Sequence, residues 1–252
     1  MTALKAVRLG AALGMTALAG WAGMAYAADT PRETSFFSAR GLMVIPASSQ
    51  ARRQDAGVRA HTNTRILFPQ RIKAPASSPP AGYETPASLA CVYGFVTKVS
   101  GCNPATVTAV PTGGSKVVII VDAYDYPTAT NDLTVFSKQF GLPAITANNF
   151  QVVYATGTKP PKDPTGGWEL EAALDIEMAH AMAPNAEVIL METASNNDTD
   201  LLLGETQAAA LATAAGGGEV SNSWGGGEFS GEDSYESTFA GSNVVFLAST
   251  GD

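Results

Sequence analysis

From residue 116 onward the chain alternates between short β-branched runs and longer stretches of helical spacing, and this alternation limits the fold more than any other feature. Lys116–Val121 (KVVIIV), Val152–Ala155, Glu187–Met191, Val220–Ser223 and Asn243–Ala248 (NVVFLA) are predicted strands. Thr130–Phe140, Trp168–Ala183, Asp198–Ala215 and Glu232–Phe239 are predicted helices. Gly141-Leu-Pro143, Pro184 and Gly216-Gly-Gly218 supply stop signals for the first three. Apolar strands separated by helices predict an α/β fold, a parallel sheet covered by helices on both faces. NVVFLA reads as a fully buried central strand. In such a sheet, chemistry gathers beyond the carboxyl ends of the strands. No internal repeat is visible.

The 252 residues are 45% apolar, enough to fill a sizeable core. Two Cys and two His are too few for a Cys/His metal centre. The net charge of −8 argues against nucleic-acid binding. That charge is unevenly spread. Residues 29–80 hold eight Lys and Arg against three Asp and Glu, whereas 81–252 hold five Lys against twenty Asp and Glu. A basic pro-segment lying on an acidic domain would produce this pattern, and so would a solvated basic linker.

Lys5 and Arg8 precede an Ala/Gly/Leu-rich stretch that closes on Ala25-Tyr26-Ala27. This is the layout of a secretory signal over residues 1–27, with a retained membrane anchor as the alternative. Residues 28–86 read as a basic pro-segment ending in a Pro/Ser linker. The ordered body is expected to start near Ala87 and to run over 87–252. Export permits a disulfide, and Cys91 and Cys102 flank a short loop suited to one; two buried thiols are the other reading. The expected location is extracellular or periplasmic, with no membrane contact after signal cleavage.

The sharpest chemical signal is the helix Trp168–Ala183. At about 100° per residue, Glu171, Leu174, Asp175, Met178 and Met182 share one face, with Glu169, Glu177 and His180 opposite. Two carboxylates one turn apart on an apolar stripe tend to share a proton, which suits acid–base work at low pH. In the plainer reading Glu171 gains from the helix start and only Asp175 is unusual. His180 reads as part of a solvated face and not as a catalytic base.

Glu171-x-x-x-Asp175-Ile-Glu followed by Ala183-Pro-Asn-Ala resembles the signature helix of the sedolisin, or serine-carboxyl, peptidases. Ile119-Ile-Val-Asp122-Ala-Tyr-Asp125, Ser221-Asn-Ser-Trp224-Gly-Gly and Ala248-Ser-Thr-Gly251-Asp252 resemble three further segments of that family, in the same order. The resemblance spans roughly 87–252. It implies a subtilisin-like fold and a secreted serine-type endopeptidase that hydrolyses polypeptides at acidic pH. Glu171 would be the base, Asp175 its partner, and Asp252 a protonated donor to the oxyanion. Asp122 would extend the acid relay, or else cap a strand-end turn. Trp224 would stand beside the carboxylates, or else be a core aromatic.

The resemblance breaks at the nucleophile. The family's Gly-Thr-Ser motif occurs nowhere in the sequence. Ser223 and Ser249 are poor substitutes, because neither sits in a nucleophile elbow. The family's calcium site belongs to the same unmatched region, so no cofactor or metal is expected from these residues. The chain is therefore expected to be the N-terminal portion of such a peptidase, monomeric and inactive alone. The alternative is a non-catalytic secreted binding or inhibitory module on the same fold.

Overall fold

The structure, a computed structural model, describes residues 32–38, 41–69, 84–96 and 102–249. The predicted signal segment 1–27 and the candidate Asp252 lie outside the described residues.

Regular structure begins well before Ala87, contrary to expectation. Strands β1 (Thr34–Ser38), β2 (Gly41–Ile45) and β4 (Ile66–Pro69) form an antiparallel sheet with β2 in the middle. Two 3-10 turns, Ala47–Ser49 and Arg53–Asp55, lead to the two-residue strand β3 (His61–Thr62). Runs of five residues or fewer between arginines are too short for a periodicity to register, which is why this region read as featureless.

Helix α1 (Pro86–Tyr93) starts at a capping box: Ser88 N–H donates to Thr85 Oγ1 at 3.0 Å and Thr85 N–H to Ser88 Oγ at 2.6 Å. Gly94 ends it in the left-handed conformation. Cys91, in its last turn, is disulfide-bonded to Cys102, as predicted.

The body follows the predicted alternation. Its elements are β5 (Val117–Ala123), α2 (Ala129–Phe140), β6 (Phe150–Tyr154), α3 (Gly167–Met182), β7 (Glu187–Thr193), α4 (Asp198–Ala214), β8 (Gly218–Asn222), the two-residue β9 (Trp224–Gly225), a 3-10 helix at Glu232–Phe239, and β10 (Val244–Ala248). Five strands form one parallel sheet in the order β10-β8-β5-β7-β6. Ile120, Val188 and Leu190 pack with Leu133 of α2 and Ile176 of α3 on one face. Val117, Ile119, Val121 and Val220 pack with Ala208 and Ala212 of α4 on the other. Each large aliphatic side chain buried in these layers contributes about 2 kcal/mol. The result is the expected α/β architecture, a parallel sheet flanked by helices.

One strand departs from its reading. Among the described residues β10 is an edge strand paired only to β8, with Val245 and Leu247 half exposed. Val244 and Phe246 alone pack on the core, since the α2/α3 layer does not reach that flank. An all-apolar run cannot reveal from sequence which of its faces is covered.

Candidate active site

The candidate acids sit on α3, so the start of that helix sets their position. Asp163 satisfies the first turn: its Oδ2 accepts Trp168 N–H at 3.0 Å and the Thr165 hydroxyl at 2.6 Å. A side chain at Gly167 would run into Ser48, so a residue without a Cβ is needed where the 47–49 turn rests on the helix. The Trp168 ring is buried on the α4-side core and meets Tyr124 edge-on.

Glu171 and Asp175, one turn further along, both point inward. Glu171 is only 5% exposed and accepts a hydrogen bond on Oε2 from the Thr64 hydroxyl. Asp175 accepts from the Ser223 hydroxyl on Oδ1 at 2.9 Å, while its buried Oδ2 has no hydrogen-bond partner. Burial pushes the Asp175 carboxyl up to about 7; the Ser223 hydrogen bond opposes this and Glu171 adds to it. Asp122, near the carboxyl end of β5, is 1% exposed, and neither of its oxygens has a hydrogen-bond partner. Burial, and then the negative fields of Asp175, Glu171 and Glu192, hold it well above the usual carboxylate range. The structure thus brings Glu171, Asp175 and Asp122 into one buried acidic group at the carboxyl end of β5. Such a group keeps protons at pH values where free carboxylates have lost them.

Trp224 stands at the same edge and donates from Nε1 to the Val121 carbonyl at 2.9 Å. Its indole thereby fixes the backbone just before Asp122 while its ring packs on the core. The adjacent turn is strained: Tyr124 has φ of 70°, a region that L side chains seldom enter. Its N–H donates to Thr193 O at 2.9 Å, tying the ends of β5 and β7 together.

The residues covering the acids come from far upstream. β3 pairs antiparallel with β9, Thr62 opposite Trp224 and His61 opposite Gly225. Thr62 is fully buried between the hydroxyls of Ser48 at 2.9 Å and Ser49 at 2.7 Å. Asn63 donates to Ser249 Oγ at 3.3 Å, and Thr64 reaches Glu171. A cavity of about 200 Å³ opens beside this strand pair, lined by Leu202, Trp224, Phe229, Tyr235 and Phe239.

The sequence reading of α3 needs two corrections. His180 does not lie on a solvated face: it is fully buried, and its Nε2 lies 3.1 Å from the Pro143 carbonyl. Burial lowers its pKa, opposed by that contact. Leu174, assigned to the apolar stripe, is 46% exposed. The burial of His180 follows from α3 being covered on several sides, by the sheet, by α2 and by the upstream turn, whereas the pattern assumed one covered face; among the described residues nothing fully covers Leu174.

Thr64, Ser223 and Glu192 were missed as partners of the acids. Thr64 carries no sequence signal, because its role depends on a fold-back. Glu192 did carry one: ILMET matches IIVDA, each an apolar strand ending in an acid. Among the described residues no group of three or more His, Cys, Asp or Glu side chains is arranged to hold a metal ion. Nor is any helix among them long and apolar enough to cross a membrane.

No family model matches the chain, and no curated protein matches it. Among solved structures it is similar to Pseudomonas sedolisin, a serine-carboxyl proteinase complexed with two molecules of pseudo-iodotyrostatin. The identity is 15%, the TM-score 0.39, and the alignment covers 55% of this chain and 34% of that one. The chain therefore matches about a third of the length of that structure.

Proposed function

We propose that this chain is the proton-handling part of an exported, acid-acting serine-type endopeptidase of the serine-carboxyl kind. The observation that carries the reading is the buried couple of Glu171 and Asp175, one helical turn apart, with Asp122 behind it. Glu171 takes the proton of an attacking serine hydroxyl and returns it to the leaving amine. Asp175 orients Glu171 and shares its charge. Asp252 donates to the oxyanion as a neutral acid. The chain carries no Gly-Thr-Ser motif, so the nucleophile comes from other residues. The Thr64 hydroxyl meanwhile occupies Glu171 as an attacking hydroxyl would, so that residues 61–64 of the pro-segment cover the acids. Polypeptides are the substrates. The signal-like N-terminus and the Cys91–Cys102 bridge favour export to the periplasm or the medium.

The test is haemoglobin digestion between pH 3 and 5. The full chain alone should give no turnover. Mixed with a polypeptide that supplies the Gly-Thr-Ser segment, it should give turnover that Glu171→Ala abolishes. Turnover unaffected by Glu171→Ala and Asp175→Asn would remove the couple from the mechanism. Turnover by the chain alone would show that the nucleophile lies within it.

A further inference from the structure

The acidic group does not end at Asp122. Glu192 stands opposite Asp122 in the β5–β7 ladder. Partners in a parallel ladder share a face, and both acids follow residues of the α2/α3-side core, Ile120 and Leu190. Glu192 is 2% exposed, almost as buried as Asp122.

One Glu192 oxygen is used. Its Oε1 accepts the Tyr126 backbone N–H at 2.8 Å, which fastens the strained turn after β5. The other, Oε2, has no hydrogen-bond partner; neither do both oxygens of Asp122 and Oδ2 of Asp175. From α3, Glu171 and Asp175 face Asp122; from β7, Glu192 does, and all three raise its pKa. Around Glu192 stand Asp125, from the turn after β5, and Lys159, from the loop after β6; Tyr154 of β6 is its ladder partner on the other side. Lys159 is bound to Asp125 at 3.1 Å and acts on Glu192 more weakly than any other group.

Buried carboxylate oxygens without donors are tolerated when a neighbouring carboxyl keeps its proton and donates it. We propose that Glu192 is a positioning residue of the acidic group: anchored by Tyr126, it holds one proton jointly with Asp122 and so keeps Asp122 available as a donor toward Asp175. The proposal rests on the reading of Glu171 and Asp175 as the proton-handling couple, and it adds a residue outside the four resemblance motifs. Burial raises Glu192 to about 7, opposed by the Tyr126 N–H and Lys159 and reinforced by Asp125, whereas the field of Glu192 is felt at Asp122.

The experiment is a carboxyl-carbon NMR titration of the full chain, labelled at Asp and Glu, between pH 4 and 9. Glu192→Gln keeps an oxygen for Tyr126 N–H and removes the titrating group. In the native chain Asp122 and Glu192 should titrate as a coupled pair that still carries a proton at pH 6. In Glu192→Gln the Asp122 midpoint should fall by about one unit or more, as expected for coupled acids. An unchanged Asp122 midpoint in the folded variant would overturn the proposal. Should Glu192→Gln fail to fold, the native titration alone decides: both carboxyls ionised at pH 6 would refute joint proton holding. The readout is protonation and not turnover, so failure of the peptidase reading in the haemoglobin assay leaves this result separately visible.

Discussion

Replacing Glu205 by Gln should remove a large share of the stability this protein loses as the pH rises. Glu205 lies on α4, fully buried beneath β8. The Asn222 side-chain amide, oriented to donate to the Ser221 carbonyl at 3.2 Å, also donates to Glu205 Oε1 at 2.5 Å. Burial raises its pKa from 4.5 to about 8, against the opposing pull of Asn222. A carboxyl raised in the folded state binds its proton more tightly there than in the unfolded chain. Its contribution to stability is therefore fully present below about pH 4.5 and is lost as pH rises through about 8. Between pH 5 and pH 8 the loss from this one group is about 3 kcal/mol. For a fold of this size that is roughly 6–12 °C in melting temperature. Gln keeps the side-chain volume and the oxygen that accepts from Asn222, but binds no proton. The assay is thermal unfolding by circular dichroism at both pH values on native and variant chains. The native melting temperature should fall by that much more than the variant's. Equal falls would refute the claim that Glu205 is buried as a neutral acid.

Thr64→Val keeps the shape of the side chain and deletes the donor to Glu171; it should cost about 1–3 kcal/mol and speed proteolytic nicking of residues 61–69, as read by limited proteolysis. Trp224→Phe removes the bond to the Val121 carbonyl while keeping much of the ring's packing, and should cost about 1–2 kcal/mol in denaturant unfolding. Cys91→Ser opens the bridge to Cys102, and the chain entropy of so short a loop predicts a loss of about 3 kcal/mol, measured against the unreduced native chain.

Much of the body was legible because each element carries its own punctuation. VVIIV (117–121) and VILM (188–191) are apolar from end to end, and Gly141, Pro184 and Gly216 mark where helices stop, so local chemistry and global fold agree. The acid couple was legible for a similar reason, since a four-residue spacing on a helix puts two side chains on one face. What stayed hidden depends on distant partners. His180 looked solvated because the pattern cannot register that the loop at Pro143 closes over it. β10 looked central because an apolar run does not disclose which neighbours it lacks. The upstream sheet was missed because TSFFS, GLMVI and ILFP are too brief to show a period.

The contact of His61 and Thr62 with Trp224 and Gly225 joins residues separated by more than half the chain. Ladder pairs within the five-stranded sheet can form as successive β-α-β units dock, but this short pairing must wait until its late partner, β9, is in place. Such long-range closures carry the greatest entropic cost and form slowly. The cover over the α3 carboxylates thus hangs on a closure between distant parts of the chain, for without the β3–β9 pairing nothing holds the Thr64 hydroxyl against Glu171.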